Sequence, residues 1–212
     1  MERTLFDGPA HAARTLVLAH GAGAPMDSDF MNAIARGVGS TGTRVARFEF
    51  PYMRARREEG RRKPPDRPPV LVASWLEAIR EVAGKKGGAS VVIGGKSMGG
   101  RIASMVADEA GVAGLVCLGY PFHPPGQPEK LRVSHLEGLK TPALIVQGER
   151  DAFGTREEVA GYRLSKKIRI HFLPDGDHSF KPRAASSRTE KQNLDEAIAE
   201  VAEFLEGLAK KL

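Results

Sequence analysis

The chain has a single cysteine, Cys117. It can form no internal disulfide, which excludes a disulfide-stapled secreted scaffold and suits a reducing cytosol. No group of cysteines and histidines has the spacing of a zinc site. Long apolar runs are missing as well: Val112 to Tyr120 falls far short of the roughly 20 residues that cross a bilayer. Met1-Glu2-Arg3-Thr4 holds no apolar run of the kind found in a secretory leader, so a cytoplasmic protein is expected. Internal repeats and low-complexity tracts are absent. What is present is 212 residues, 41% hydrophobic and 27% charged. That is enough apolar material for a buried core and a length that suits one domain over 1–212.

The net charge of +6 is unevenly spread. Between Met53 and Pro69, seven basic residues (Arg54, Arg56, Arg57, Arg61, Arg62, Lys63 and Arg67) outnumber Glu58, Glu59 and Asp66. This 53–69 stretch reads as a basic, Pro-rich, solvated loop, with contact to an acidic substrate as the minor alternative. No aromatic residues interleave with the arginines, so a stacking platform for single-stranded nucleic acid is not expected.

Short apolar runs alternate with amphipathic segments. Strands are expected at 15–19, 44–50, 90–93, 114–118, 143–147 and 168–173. Helices are expected at 29–37, 70–82, 101–109, 156–164 and 194–212, the last with Lys210-Lys211 matching its C-terminal dipole. About six alternations without a break in composition predict an α/β fold: a three-layer α/β/α sandwich with a mostly parallel sheet. A Pro-rich insert over 120–136 is too short for a helical cap.

Right-handed crossovers place the strand C-termini along one edge, where such folds hold their sites. The residues beyond the strands are chemically capable: His20-Gly21-Ala22-Gly23-Ala24, Gly94 to Gly100, Gly148-Glu149-Arg150-Asp151, and Asp175-Gly176-Asp177-His178. Gly95-Lys96-Ser97-Met98-Gly99 matches G-x-S-x-G between a buried strand and an amphipathic helix. A serine on such a strained turn needs small neighbours where strand and helix close on each other. Gly95-Lys96-Ser97 also resembles the end of a phosphate-binding loop, but Ser90 stands where the first glycine belongs and Val91-Val92-Ile93 reads as strand, so that reading is rejected.

A serine hydroxyl needs a base, usually an imidazole oriented by a carboxylate. Of the six histidines, His178 follows the last strand and the serine. His123, after another strand end, is the reserve. His20 is expected to order its loop through hydrogen bonds. Asp151 is the expected carboxylate, with Glu149 as the alternative. Asp175 and Asp177 flank Gly176 and read as turn formers. The Met98 and Ala22 amides are expected to hold an oxyanion.

These residues, with Gly119-Tyr120-Pro121-Phe122-His123-Pro124, resemble the α/β-hydrolase superfamily, and within it the small, cap-less, dienelactone-hydrolase-like proteins. The likeness runs over about Thr15 to Phe180. Its N-terminal part is short for the first two strands of the full fold. Dienelactone hydrolase proper has a cysteine nucleophile where this chain has Ser97. The resemblance implies a soluble serine hydrolase of a small-molecule carboxylic ester, with Ser97, His178 and Asp151 in the order Ser…Asp…His. Phe122 and His123 are candidate substrate contacts. No metal or organic cofactor and no membrane partner is implied, and nucleic acid is not an expected partner despite the basic 53–69 stretch. A hydrolase-fold interaction protein with little turnover, a thioesterase and a peptidase are the alternatives.

Overall fold

The computed structural model describes residues 4–12 and 14–209. Six strands run parallel: β2 (Thr15–Ala19), β3 (Arg44–Phe48), β4 (Val91–Lys96), β5 (Gly114–Leu118), β6 (Ala143–Gly148) and β7 (Ile168–Leu173). A short strand, β1 (Leu5–Asp7), pairs antiparallel with β3 at one edge. The sheet order is β1-β3-β2-β4-β5-β6-β7. The sequence pattern gives no sign of β1; it is three residues long and owes its pairing to the β3 edge.

The sheet is covered on both faces, and the strand sequences show it by period-two division of their apolar residues. Val17, Ile93, Cys117 and Ile145 join one core with Trp75 and Ile79 of α3 (Pro68–Ala83) and Ile102 of α4 (Met98–Val106). Leu16, Val92, Val116 and Val146 join the other, with Ile34 of α1 (Asp29–Ser40) and Val201 of α7 (Glu190–Ala209). Lys210, Lys211 and Leu212, expected to complete the last helix, lie outside the described residues.

The basic stretch departs from expectation. Pro51–Glu59 forms a helix, α2, and Pro68-Pro69 open α3, so only residues 60–67 are loop. The cause is local and tertiary together. Pro51 sits at the start of α2 with its φ already helical. Gly60 closes the helix at φ 65°. Arg57 is then tied to Asp27 and Glu49, both at 2.7 Å. The strand expected over 44–50 accordingly stops at Phe48. The helix expected from Arg101 begins at Met98, one turn earlier. The 120–136 segment carries only the start of a four-residue helix, α5 (Ser134–Glu137), and builds no cap. The helix expected over 156–164 shortens to α6 (Arg156–Ala160), whose N-terminus has a capping box between Thr155 and Glu158. Among the described residues no helix is long and apolar enough to cross a membrane.

Candidate active site

The register of the parallel ladders places the ends of β2, β4, β5, β6 and β7 at one edge: Ala19 pairs with Gly95, Lys96 with Leu118, Leu118 with Val146, and Gly148 with Leu173. Ser97 joins β4 to α4 at φ 51°, one of three non-glycine residues with positive φ among those described. Such a backbone costs about 1–3 kcal/mol and persists only where the surroundings enforce it. Here the enforcement is steric. A Cβ on Gly95 would lie 2.2 Å from the Ala19 carbonyl oxygen, and one on Gly99 would lie 2.5 Å from the same atom and 2.6 Å from that of His20. The two glycines of the motif therefore let β4 and α4 press against the end of β2. The Ser97 amide donates to Leu118 (3.0 Å), and the Trp75 indole donates to the Gly99 carbonyl (3.2 Å), which fixes the turn from both sides.

The Ser97 hydroxyl lies 2.9 Å from His178 Nε2, and His178 Nδ1 lies 2.8 Å from Asp151 Oδ2. A carboxylate can only accept, so Nδ1 carries the proton and Nε2 is free to accept from the hydroxyl. Asp151 is fully buried. Its Oδ1 accepts from the Phe153 amide at 2.9 Å, and its Oδ2 also accepts from the Gln147 side-chain amide at 2.9 Å. Burial, above all, pulls the His178 proton affinity below the ordinary histidine value; Asp151 works against this and the Lys96 charge adds to it. Such an imidazole is neutral at pH 7 and able to take a proton from the hydroxyl beside it.

The loop after β2 is held by two rings. His20 is fully buried, accepts from the Phe50 amide at Nε2 (3.1 Å) and donates from Nδ1 to the Gly21 carbonyl (2.7 Å). Burial keeps its proton affinity low, so it stays neutral. The Tyr52 hydroxyl, on α2, reaches the Gly21 and Ala22 carbonyls at 3.2 and 3.1 Å. Met98, the first residue of α4, has no intrahelical acceptor for its amide.

The other expected residues are placed elsewhere. Glu149 accepts from the Asp175 amide and pairs with Arg156 at 3.0 Å, away from His178. Asp175 and Asp177 do form turns, accepting from the Arg183 amide and from the Ser179 and Lys181 amides. His123 is buried and bonded to the Pro124 carbonyl and Glu158. Phe122 has no exposure and packs on Tyr120 and Tyr162, so it is a core residue and not a wall open to a ligand. A second serine–histidine contact, Ser104 with His135 at 2.8 Å, joins α4 to α5; Ser104 is buried, its hydroxyl donates to the Arg101 carbonyl, and no carboxylate bonds His135 among the described residues. Three residues around the site were not singled out by sequence reasoning. Phe153 packs on His178, the rings tilted by 32° with centroids 4.2 Å apart. Tyr52 ties down the His20 loop. Gln147 supports Asp151; a lone amide near the end of the apolar run Ala143–Val146 was its one visible signal. Among the described residues no three His, Cys, Asp or Glu side chains gather as a metal site.

A family model described as an alpha/beta hydrolase domain matches residues 12–206. Solved structures with the same fold include an alpha-beta serine hydrolase homologue from Coxiella burnetii, 19% identical, with a TM-score of 0.72, covering 94% of this chain and 89% of that one. Dienelactone hydrolase from Anabaena variabilis is 20% identical, with a TM-score of 0.72 over 96% and 90% of the two chains. A serine hydrolase without lid from Xanthomonas campestris is 17% identical, with a TM-score of 0.63 over 94% and 87%. The fold, the turn bearing Ser97 and the match over nearly the whole chain agree: this protein belongs to the alpha/beta hydrolase family.

Proposed function

We propose that the protein is a serine hydrolase that cleaves a carboxylic ester with a small or medium acyl group. The observation that carries this is the unbroken chain of hydrogen bonds from Ser97 through His178 to Asp151. Ser97 Oγ attacks the ester carbonyl as His178 Nε2 takes its proton. The Met98 and Ala22 amides receive the oxyanion. Collapse of the tetrahedral adduct breaks the ester C–O bond, and His178 returns the proton to the departing alcohol. Water, deprotonated by His178, then attacks the acyl-enzyme and frees the acid and Ser97. Asp151 holds the Nδ1–H tautomer and stabilises the imidazolium. The absence of a cap in 120–136 supports an open pocket and small or medium acyl groups.

Labelling with a fluorophosphonate probe tests the reading. Wild type should label rapidly, Ser97→Ala not at all and His178→Ala slowly. p-Nitrophenyl esters of increasing chain length should then show turnover that falls with long acyl chains. A folded wild type that takes up no probe would point instead to an interaction protein built on this fold.

A further inference from the structure

Lys96 is the one charged residue inside β4, and the chemistry above does not use it. Its side chain runs to the loop that carries His178, not to solvent. Nζ donates to the His178 carbonyl at 2.6 Å. It lies 5.5 Å from the Phe30 ring centroid and 6.0 Å from that of Phe180, so two aromatic faces flank the ammonium. Space for it comes from Gly119, at φ 66°. A Cβ there would lie 2.8 Å from Lys96 Nζ, 2.9 Å from the His178 carbonyl oxygen and 3.3 Å from His178 Nδ1. The missing side chain at the end of β5 is thus the gap in which the ammonium and the edge of the imidazole meet.

We propose that Lys96 is a positioning residue for His178: its ammonium anchors the backbone of the loop that presents the imidazole, and keeps a positive charge beside the ring. This rests on the serine-hydrolase reading of the site. Four groups surround that charge: Phe30 from α1, Phe180 and His178 from the loop after β7, and the end of β5. The carboxylates that act on it are Asp151 and Asp177. Neither forms a salt bridge with Lys96; Asp151 is paired with His178 instead. Burial lowers the Lys96 pKa to about 8, against the pull of the two aspartates. At neutral pH the side chain is still mostly charged. The charge disfavours the imidazolium, so His178 stays a free base to lower pH. An alkyl chain of the same length would fill the space but provide neither the hydrogen bond nor the charge.

The test titrates the His178 ring by NMR in wild type, Lys96→Met and Lys96→Arg, and follows kcat and KM for p-nitrophenyl butyrate across pH. In Lys96→Met, the ring midpoint and the acid limb of kcat/KM should move to higher pH. Its kcat should fall about tenfold, the size of one hydrogen bond from a charged donor, with KM little changed. Lys96→Arg should keep the midpoint near wild type, because it keeps the charge. A folded Lys96→Met with an unmoved ring midpoint and wild-type kcat overturns the proposal. Should Lys96→Met fail to fold, Lys96→Gln keeps a donor and drops the charge: a raised midpoint supports the proposal and an unmoved one overturns it. A wild type that hydrolyses no ester and takes up no fluorophosphonate would refute the serine-hydrolase reading, while the ring titration still decides whether Lys96 acts on His178.

Discussion

The Gln147 side-chain amide and the His178 ring donate to the same oxygen, Asp151 Oδ2, at 2.9 and 2.8 Å. Gln147 has no exposure, and its other bonds close a small network: it accepts from the Tyr120 amide at 2.7 Å and donates toward the Gly154 and Tyr120 carbonyls. The carboxylate that orients the imidazole is therefore itself oriented from within the sheet.

Gln147→Leu should expose this dependence. The substitution leaves the Tyr120 amide and the Gly154 carbonyl buried without a partner, a loss of about 1–3 kcal/mol. Thermal melting should show the lower stability. Ester turnover should show a reduced kcat at nearly constant KM, since the substrate does not meet Gln147.

Asp151→Asn acts at the same oxygen with a different signature. The amide keeps the shape and reverses the donor pattern toward Nδ1, so the wrong imidazole tautomer is favoured. A loss in kcat of about 10³-fold or more is expected, together with a lower melting temperature, because the new NH2 group faces a buried donor, either the Gln147 side-chain amide or the Phe153 backbone amide. Wild-type turnover in the folded variant would remove Asp151 from the mechanism.

The pH dependence follows from the direction of two histidine shifts. In the proposed mechanism hydrolysis needs neutral His178, whose proton affinity burial sets below the ordinary 6.5. The kcat/KM profile should therefore rise with pH through a midpoint under that value and be flat by neutrality. His20 is shifted the same way, again chiefly by burial. Here the consequence is for stability. The unfolded chain binds a proton at this position more readily than the folded one, so the contribution is complete above about 6.5 and is lost as pH falls below it. Denaturant titrations at pH 7.5 and 5.5 should show the decrease, and His20→Gln should flatten part of it.

Gly99→Ala tests the close approach behind the Ser97 turn. The added methyl would stand 2.5 Å from a backbone oxygen that has no freedom to swing away. α4 must shift, at a cost of about 1–3 kcal/mol. A melting temperature equal to wild type would show that the packing of β2 against α4 is looser than these distances require.

Tyr52→Phe should leave the fold in place and loosen the His20 loop. One hydroxyl bond of about 1 kcal/mol is removed. If that loop supplies an oxyanion donor, kcat for esters should fall roughly fivefold. Unchanged kcat would separate Tyr52 from the chemistry.

Much of the fold was legible along the chain because its signals are local. Strands buried on both faces read as short apolar runs, and α1 and α3 show their apolar spacing without reference to any neighbour. The turn at Ser97 was legible for the same reason: Gly95 and Gly99 are steric requirements written within five residues. Ser97 and His178 are 81 residues apart and His178 and Asp151 are 27 apart. Their meeting was inferred from parallel strand order, which leaves few places for loop residues to go. Other features lay outside that reach. α2 looked like loop because its run of arginines and prolines shows no apolar spacing, and Arg57 meets Asp27 and Glu49 only in the folded chain. Phe122 and His123 looked like site residues because they follow a strand, yet packing turned both inward. The roles of Gln147, Phe153 and Lys96 come from contacts between separate loops and strands, where side-chain direction and the space left by Gly119 settle which groups touch; no pattern along the backbone encodes that.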